Sequence, residues 1–291
     1  MNTIAAGLSL FSDQAIEEIF FNGPERVITR YKDESNSIVK VRFKNRNSMI
    51  EEMQEFSFIH GIRLDPVVPT AGGYYRFPID NREHTFRWTF AIPPLASPEP
   101  LISFRRHRLD DIGLKDFLGV EKLTSAVTSE TYKQSPVFIC GATGSGKTTL
   151  MTAFLRTYHL NDRVAIIESV SEIPTLSPHW IRLVASPPDI DGYGGIRTED
   201  IFPEVLRLRP DHIVISELRG LEGSTLLQAL LSGHGRVFAT LHCKDSAEFP
   251  NRMASLLGSS KRVGILRGLK PILIFLDRGS PKRITGVVKF D

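Results

Sequence analysis

Gly141, Ala142, Thr143, Gly144, Ser145, Gly146, Lys147 and Thr148 follow the pattern G-x-x-x-x-G-K-[ST] without a mismatch. Each residue type in it answers a need of phosphate binding. The glycines allow a tight turn that points backbone N–H groups at phosphate oxygens. A helix starting at the end of the loop adds the positive end of its dipole. Lys147 can reach the β- and γ-phosphates, and the Thr148 hydroxyl can ligate Mg²⁺. The flanks fit this use. Val137 to Cys140 is an apolar run that predicts a buried strand. Thr148 to Leu160 carries Leu150, Ala153, Phe154 and Thr157 at i, i+3, i+4 and i+7, which predicts a helix.

Two further segments read as apolar strands ending in an acid: Val164 to Glu168, and Arg209 to Glu217. A buried strand of this kind delivers a carboxylate to the phosphate end of a sheet, where it orders Mg²⁺ ligands or the attacking water. Glu168 and Glu217 are both expected to face the γ-phosphate, one as base or water orienter and one through the metal. The pattern does not decide between them. Glu172 is a third acid, equally readable as a solvated loop residue. His234 and His242 frame the strand-like run Gly235 to Leu241. A histidine at its C-terminal end could sense the γ-phosphate. No second ligand at close spacing suggests a metal site there.

These residues need a scaffold, and the chain supplies two textures. Residues 1 to about 107 read as α+β. Gln14 to Phe21 predicts a short helix or strand entry, with a turn at Asn22-Gly23-Pro24. Strands are expected at Val27 to Tyr31, Ile38 to Phe43, Tyr74 to Phe77, Phe86 to Ile92 and Leu101 to Phe104. Asn47 to Gly61 predicts a helix, Gly72-Gly73 a turn, and Pro93 to Pro100 a loop. One or two connecting helices are expected from about 108 to 134. From Ser135 to the end, strands at 136–140, 163–168, 180–185, 212–217, 236–242 and 271–276 alternate with helices such as 225–232 and 246–257. That alternation implies an α/β fold with a largely parallel sheet. Gly192 to Gly195 predicts a mobile loop. Pro203 suits a helix starting near Phe202 better than one starting at Thr198.

Composition narrows the partners. The 291 residues carry a net charge of only +3, too mild to argue for nucleic acid. This charge leaves contact with an anionic membrane surface open. Cys140 and Cys243 are too few and too far apart in sequence for a disulfide framework or a zinc-thiolate site. No apolar run approaches the roughly 18 residues that span a bilayer. The N-terminus lacks the basic start of a signal peptide. The expected location is therefore the cytoplasm.

Together these residues resemble the secretion-superfamily traffic ATPases, the motors of type II secretion, type IV secretion and type IV or tight-adherence pili. Gly141 to Thr149 looks like that family's Walker A loop. Ile167 to Glu172 looks like its Asp box, Leu208 to Gly220 its Walker B, and Ser232 to His242 its His box. Glu18 to Pro24, Phe86-Arg87, Ile92 to Pro94 and Ile102 to Arg105 look like its N-domain segments. The likeness covers nearly the whole chain. Departures are Ser169, where the family usually has aspartate, and Cys243-Lys244 after the His box. The short chain without a tetracysteine insertion favours the compact type IV secretion or tight-adherence branch.

The resemblance implies a RecA-like P-loop core at about 135–291, an α+β N-domain at 1–107, ATP and Mg²⁺ as cofactors, and a homo-hexamer. Its partners would be inner-membrane platform or secretion-channel proteins. Gly141 through Thr149, with Arg87 and Arg105 from the N-domain, would bind nucleotide. Thr148 and Glu217 would hold the metal, and Lys147, Glu168 and Glu217 would serve catalysis. His234 and His242 would sense phosphate. Arg207, Arg209 and Arg219 are further candidates from the core. Arg105 is singled out because no acidic motif nearby explains it. Two alternatives keep the same core: a nucleic-acid-dependent motor such as a helicase, and a subunit that binds nucleotide without turnover.

Overall fold

The computed structural model describes the chain except residues 1–2, 80–81, 108–111, 128–131, 133–134, 170, 186–193, 221, 232, 234–235 and 280. Residues 192–193 of the glycine-rich loop, and His234, thus lie outside the described residues. The chain forms two compact units, Met1–Arg108 and Leu109–Asp291.

The first unit opens with helix α1 (Thr3–Ser9) and then strands β1 (Ile16–Asn22), β2 (Val27–Tyr31) and β3 (Asn36–Val39). Helix α2 (Arg46–Ile59) follows, and then β4 (Thr70–Ile79), β5 (Arg82–Ala91) and β6 (Leu101–His107). The six strands form one antiparallel sheet in the order β3-β2-β1-β6-β5-β4. Asn45 starts α2, its side chain accepting from the Ser48 N–H at 2.9 Å while the Ser48 hydroxyl accepts from the Asn45 N–H at 3.0 Å. Met49 and Met53 of α2 are buried with Phe21, Phe86, Trp88, Phe90 and Phe104 of the sheet. Gly72-Gly73 is no turn: β4 runs straight through it. A Cβ on Gly72 would lie 3.0 Å from the Trp88 carbonyl oxygen, and one on Gly73 3.3 Å from Trp88 Nε1. The pair lets the neighbouring strand's tryptophan approach the backbone, a strand use of glycine that a turn signal mimics.

The second unit begins with a 3-10 turn (Leu114–Asp116) and helix α3 (Val120–Val127). Strand β7 (Val137–Gly141), helix α4 (Lys147–Tyr158) and strands β8 (Val164–Glu168) and β9 (Trp180–Val184) follow. Next come α5 (Thr198–Arg207), β10 (His212–Leu218), α6 (Glu222–Leu231) and β11 (Arg236–Leu241). Helices α7 (Phe249–Leu257) and α8 (Ser260–Gly268) precede the closing strands β12 (Ile272–Asp277) and β13 (Arg283–Lys289). The seven-stranded sheet runs β13-β12-β7-β11-β10-β8-β9, parallel except for the β12–β13 pair. Residues alternate between two cores. Val137 and Ile139 pack with Phe154 of α4, while Phe138 and Cys140 pack with Phe249 and Met253 of α7. Both faces are covered, which is why these strands read as continuous apolar runs.

Helix α5 starts at Thr198, not near Phe202, with Pro203 inside it. Asp200 explains this. Its carboxylate accepts from the Arg197 N–H at 3.1 Å and pairs with the Arg197 guanidinium at 3.1 Å, while Ile201, Phe202 and Val205 are buried. That cap and apolar face outweigh the one hydrogen bond that proline removes.

Candidate functional site

Strand β7 ends at Gly141 in the middle of the parallel sheet, and α4 begins six residues later. Gly141 has no room for a side chain: a Cβ would lie 2.6 Å from Ser145 Oγ and 2.7 Å from the Leu276 carbonyl oxygen. Gly144 and Gly146 have φ of +77° and +93°, a left-handed conformation that favours glycine. Ala142, Thr143 and Gly144 are exposed along the loop, and Ser145 is buried. Lys147 folds back onto its own loop, its ammonium donating to the carbonyl oxygens of Gly141 at 3.0 Å and Ala142 at 2.9 Å. Burial pushes this amine below its ordinary pKa, against the pull of the Glu217 carboxylate. The Thr148 hydroxyl donates to Glu172 at 3.2 Å.

Glu217 stands near the end of β10, where the pairing with β11 slips between Ile215 and Leu218. A bulge of this kind re-aims a side chain, and bulges gather beside active sites. One Glu217 oxygen bonds Arg219, and the other lies 2.8 Å from His242 Nε2. Burial works to raise the Glu217 carboxyl. The Arg219 hydrogen bond and the charges of Arg219, His242 and Lys147 outweigh it and hold the carboxyl below its usual range. Burial first, then the Lys147 charge, keep the His242 imidazole below its ordinary value, so it is neutral at pH 7. Lys147, Glu217, Arg219 and His242 therefore form one electrostatic group. A cleft of about 530 Å³ opens beside it, lined by Gly141, Ala142, His242, Lys244, Asp277 and Arg278 among others.

Glu168 has a different setting. It is fully buried. One oxygen accepts from the N–H groups of Glu172 and Ile173, both at 2.9 Å, and the other lies 3.2 Å from Arg182 Nε. Burial raises its pKa to about 7, against the two backbone N–H bonds and Arg182. Its geometry anchors the turn that carries Glu172, and it is Glu172 that reaches the P-loop threonine. In the sequence Glu172 reads equally as a site residue or a solvated loop acid. The signal for it was its four-residue spacing from Glu168, enough for a turn to bring it back.

The arginines divide. Arg219 belongs to the Glu217 group. Arg207 pairs with Glu204 at 2.8 Å on the surface, and Arg209 is exposed with φ of +49°. In the first unit Arg87 and Arg105 are exposed and face each other across β5 and β6. An acid does explain Arg105: its Nε lies 3.4 Å from Glu18 on β1, directly across the ladder. The strand register, invisible in the sequence, brings them together. Thr149 is buried on the first turn of α4, and its hydroxyl accepts from the Lys282 ammonium at 3.2 Å. Cys140 and Cys243 are both free and buried. Among the described residues, no helix is long and apolar enough to cross a membrane.

A parallel sheet with its P-loop on an interior strand, an acid-ended strand one place beyond the neighbouring β11 and an α+β unit define a RecA-like P-loop ATPase of the secretion-traffic class. The chain belongs to the family of type II/IV secretion system proteins, whose sequence profile matches residues 5–273. A putative conjugal transfer protein of Mycobacterium tuberculosis is 28% identical, covering 96% of this chain and 82% of that protein. The fold resembles that of the Legionella pneumophila ATPase DotB, with a TM-score of 0.65, 20% identity and coverage of 95% and 76% of the two chains. It likewise resembles the pilus retraction motor PilT bound to ADP, with a TM-score of 0.68, 14% identity and coverage of 94% and 77%.

Proposed function

We propose that this chain hydrolyses ATP with Mg²⁺ as a subunit of a cytoplasmic homo-hexameric motor serving a type IV secretion or pilus apparatus. The observation that carries the reading is the convergence of Lys147, Thr148, Glu172 and Glu217 at the C-terminal end of one parallel sheet, around a loop built for phosphates. The P-loop amides and Lys147 bind the phosphate chain, with Lys147 exchanging its two loop carbonyls for phosphate oxygens. A lysine already desolvated binds an incoming phosphate with little further dehydration.

Thr148, Glu172 and Glu217 offer hard oxygen ligands, directly or through water, which is the donor set that suits Mg²⁺. Bound there, Mg²⁺ would supply charge neutralisation at the β- and γ-phosphates. Glu217, held ionised by its cationic neighbours, orients the attacking water. His242, neutral and 2.8 Å from Glu217, links that carboxylate to the end of β11 and is placed to report the γ-phosphate along this strand. Glu168 positions Glu172 by anchoring its turn. Arg87 and Arg105 are our candidates for phosphate contacts supplied by the first unit, Arg105 giving up Glu18 for phosphate.

The conjugal-transfer relative supports the type IV secretion branch, with platform or channel proteins of the inner membrane as partners and contact at the cytoplasmic face of that membrane. Phosphate release measured with and without single-stranded DNA tests the assignment. Turnover independent of DNA is expected. Turnover seen only with DNA would support a nucleic-acid motor instead, and nucleotide binding without turnover a non-hydrolysing subunit.

A further inference from the structure

The second unit holds a polar cluster that the nucleotide site does not use. Helix α4 starts at the P-loop and runs to Tyr158, and His159 follows as its cap. The chain turns there, the Asp162 N–H donating to the His159 carbonyl oxygen at 3.3 Å, and enters β8 at Val164. Strand β10, beside β8 in the sheet, begins with His212. His159, Asp162 and His212 therefore meet at the edge where these strands begin, opposite the P-loop. The 12 residues of α4 set the two edges about 18 Å apart.

One Asp162 oxygen, Oδ2, accepts from His159 Nδ1 at 2.7 Å and from His212 Nε2 at 2.9 Å. One ligand atom from each residue lies within 4.8 Å of the other two. With its proton on Nδ1, the His159 ring accepts at Nε2 from the Tyr132 hydroxyl at 3.0 Å. Trp180 Nε1 donates to the His159 carbonyl oxygen at 3.1 Å, and the ring packs on Phe154 and Phe238. Groups behind the ring thus fix its orientation, as they do for metal-binding histidines. His212 Nδ1 is buried with no partner among the described residues, so nothing at that atom commits the ring's proton to Nε2. Both imidazoles are buried, whereas the Asp162 side chain is 41% exposed. Solvent therefore reaches the carboxylate, which gives a metal an entry path and water ligands.

Zn²⁺ takes such nitrogens and oxygens at about 2.0–2.2 Å in a tetrahedron, whose corners stand about 3.3 Å apart. The two hydrogen bonds are shorter than that edge by about half an ångström, which the exposed turn of Asp162 can supply. Two imidazoles beside one carboxylate suit Zn²⁺ and similar metals, whereas Mg²⁺ and Ca²⁺ take oxygens. The Arg236 charge, felt by both histidines, opposes a cation here, and the Asp162 carboxylate offsets it.

We propose that His159, Asp162 and His212 form a binding site for Zn²⁺, completed by water on the exposed side. Binding exchanges two N–H···O bonds for three metal bonds. Each ring keeps one proton, moved to its far nitrogen: His159 Nε2, which then donates to the Tyr132 oxygen, and His212 Nδ1. The metal staples the end of α4 to the starts of β8 and β10. The inference stands whether or not the chain hydrolyses ATP. The competing role is a hydrogen-bonded tie that takes no metal.

The test titrates Zn²⁺ into the chelator-stripped whole chain as wild type, Asp162→Asn, His212→Gln and Cys243→Ser, with excess Mg²⁺ to fill sites made of oxygens. Co²⁺ serves as a coloured probe. Asparagine keeps an oxygen that accepts from both rings and loses the anionic ligand, so it separates metal site from tie. One Zn²⁺ per chain is expected to bind the wild type and Cys243→Ser equally. Asp162→Asn and His212→Gln should bind it at least roughly tenfold more weakly, the cost of losing even a group behind a ligand. Zn²⁺ should raise the melting temperature of the wild type and leave that of Asp162→Asn where it was. Co²⁺ should show visible absorption without a thiolate charge-transfer band. A wild type that binds no Zn²⁺, or a folded Asp162→Asn that binds it as tightly, would overturn the site. So would a thiolate band or loss of binding in Cys243→Ser, which would put the metal on the cysteines. If His212→Gln does not fold, Asp162→Asn decides alone.

Discussion

Replacing Glu168 by glutamine should change how the stability of this protein depends on pH. Glu168 is fully buried at the end of β8, and burial raises its pKa from 4.5 to about 7. Between those two values the folded state holds a proton on this carboxyl that the unfolded chain has released. Stability therefore falls as pH rises through the window from about 4.5 to about 7, and is level on either side of it. At 1.36 kcal/mol per pKa unit, the ionised buried carboxylate costs about 3 kcal/mol above pH 7 relative to the protonated form. Glutamine cannot ionise, and its carbonyl oxygen can still accept from the N–H groups of Glu172 and Ile173. Thermal or urea unfolding of both proteins from pH 4.5 to 8 gives the difference in stability directly. The wild type should lose about 3 kcal/mol relative to Glu168→Gln across that range. A difference that grows in favour of the wild type as pH rises would mean that Arg182 and the two N–H groups win over burial. That result would refute the reasoning.

Three further outcomes are expected. Glu217→Gln and Glu172→Gln should each bind ATP yet hydrolyse it at least roughly a hundredfold more slowly, as a phosphate-release assay would show. Unchanged turnover in either would remove that acid from the mechanism. Arg105→Ala should raise the KM for ATP while unfolding near wild type, because its exposed pair with Glu18 is worth at most about 1 kcal/mol. An unchanged KM would leave Arg105 as the partner of Glu18 and nothing more. Gly223→Ala should destabilise the fold by about 1–3 kcal/mol in chemical denaturation, since the new Cβ would lie 2.6 Å from the Leu256 carbonyl oxygen. A stability within a few tenths of a kcal/mol of wild type would show that α6 and α7 can part without cost.

Much of the second unit was readable because local chemistry dictates it. The six strand segments expected there appear within a residue or two, since buried parallel strands are unbroken apolar runs. β13 escaped because it is a half-exposed edge strand with Arg283 and Lys289 at its ends, a composition that reads as loop. Helix α8 escaped because only Val263 and Leu266 are buried on it and Gly264 lowers its helix propensity. The P-loop was legible because its glycines and lysine are fixed by spacing in the chain. The tie between Thr148 and Glu172, the pairing of Glu168 with Arg182 and that of Arg105 with Glu18 depend on how a turn folds or on which strands become neighbours. Lys282 stands 135 positions from Lys147, and only the closing hairpin of the sheet brings it to the same loop.

The central claim is that this loop binds ATP for hydrolysis. Phosphate release from ATP with Mg²⁺, by the wild type and by Lys147→Ala side by side, tests it most directly. Among the described residues the Lys147 ammonium bonds the carbonyls of Gly141 and Ala142, and the side chain belongs to none of the hydrophobic clusters, so the variant should melt near the wild-type temperature and release no phosphate above background. A folded Lys147→Ala that turns over ATP at the wild-type rate, or a wild type that never does, would contradict the account.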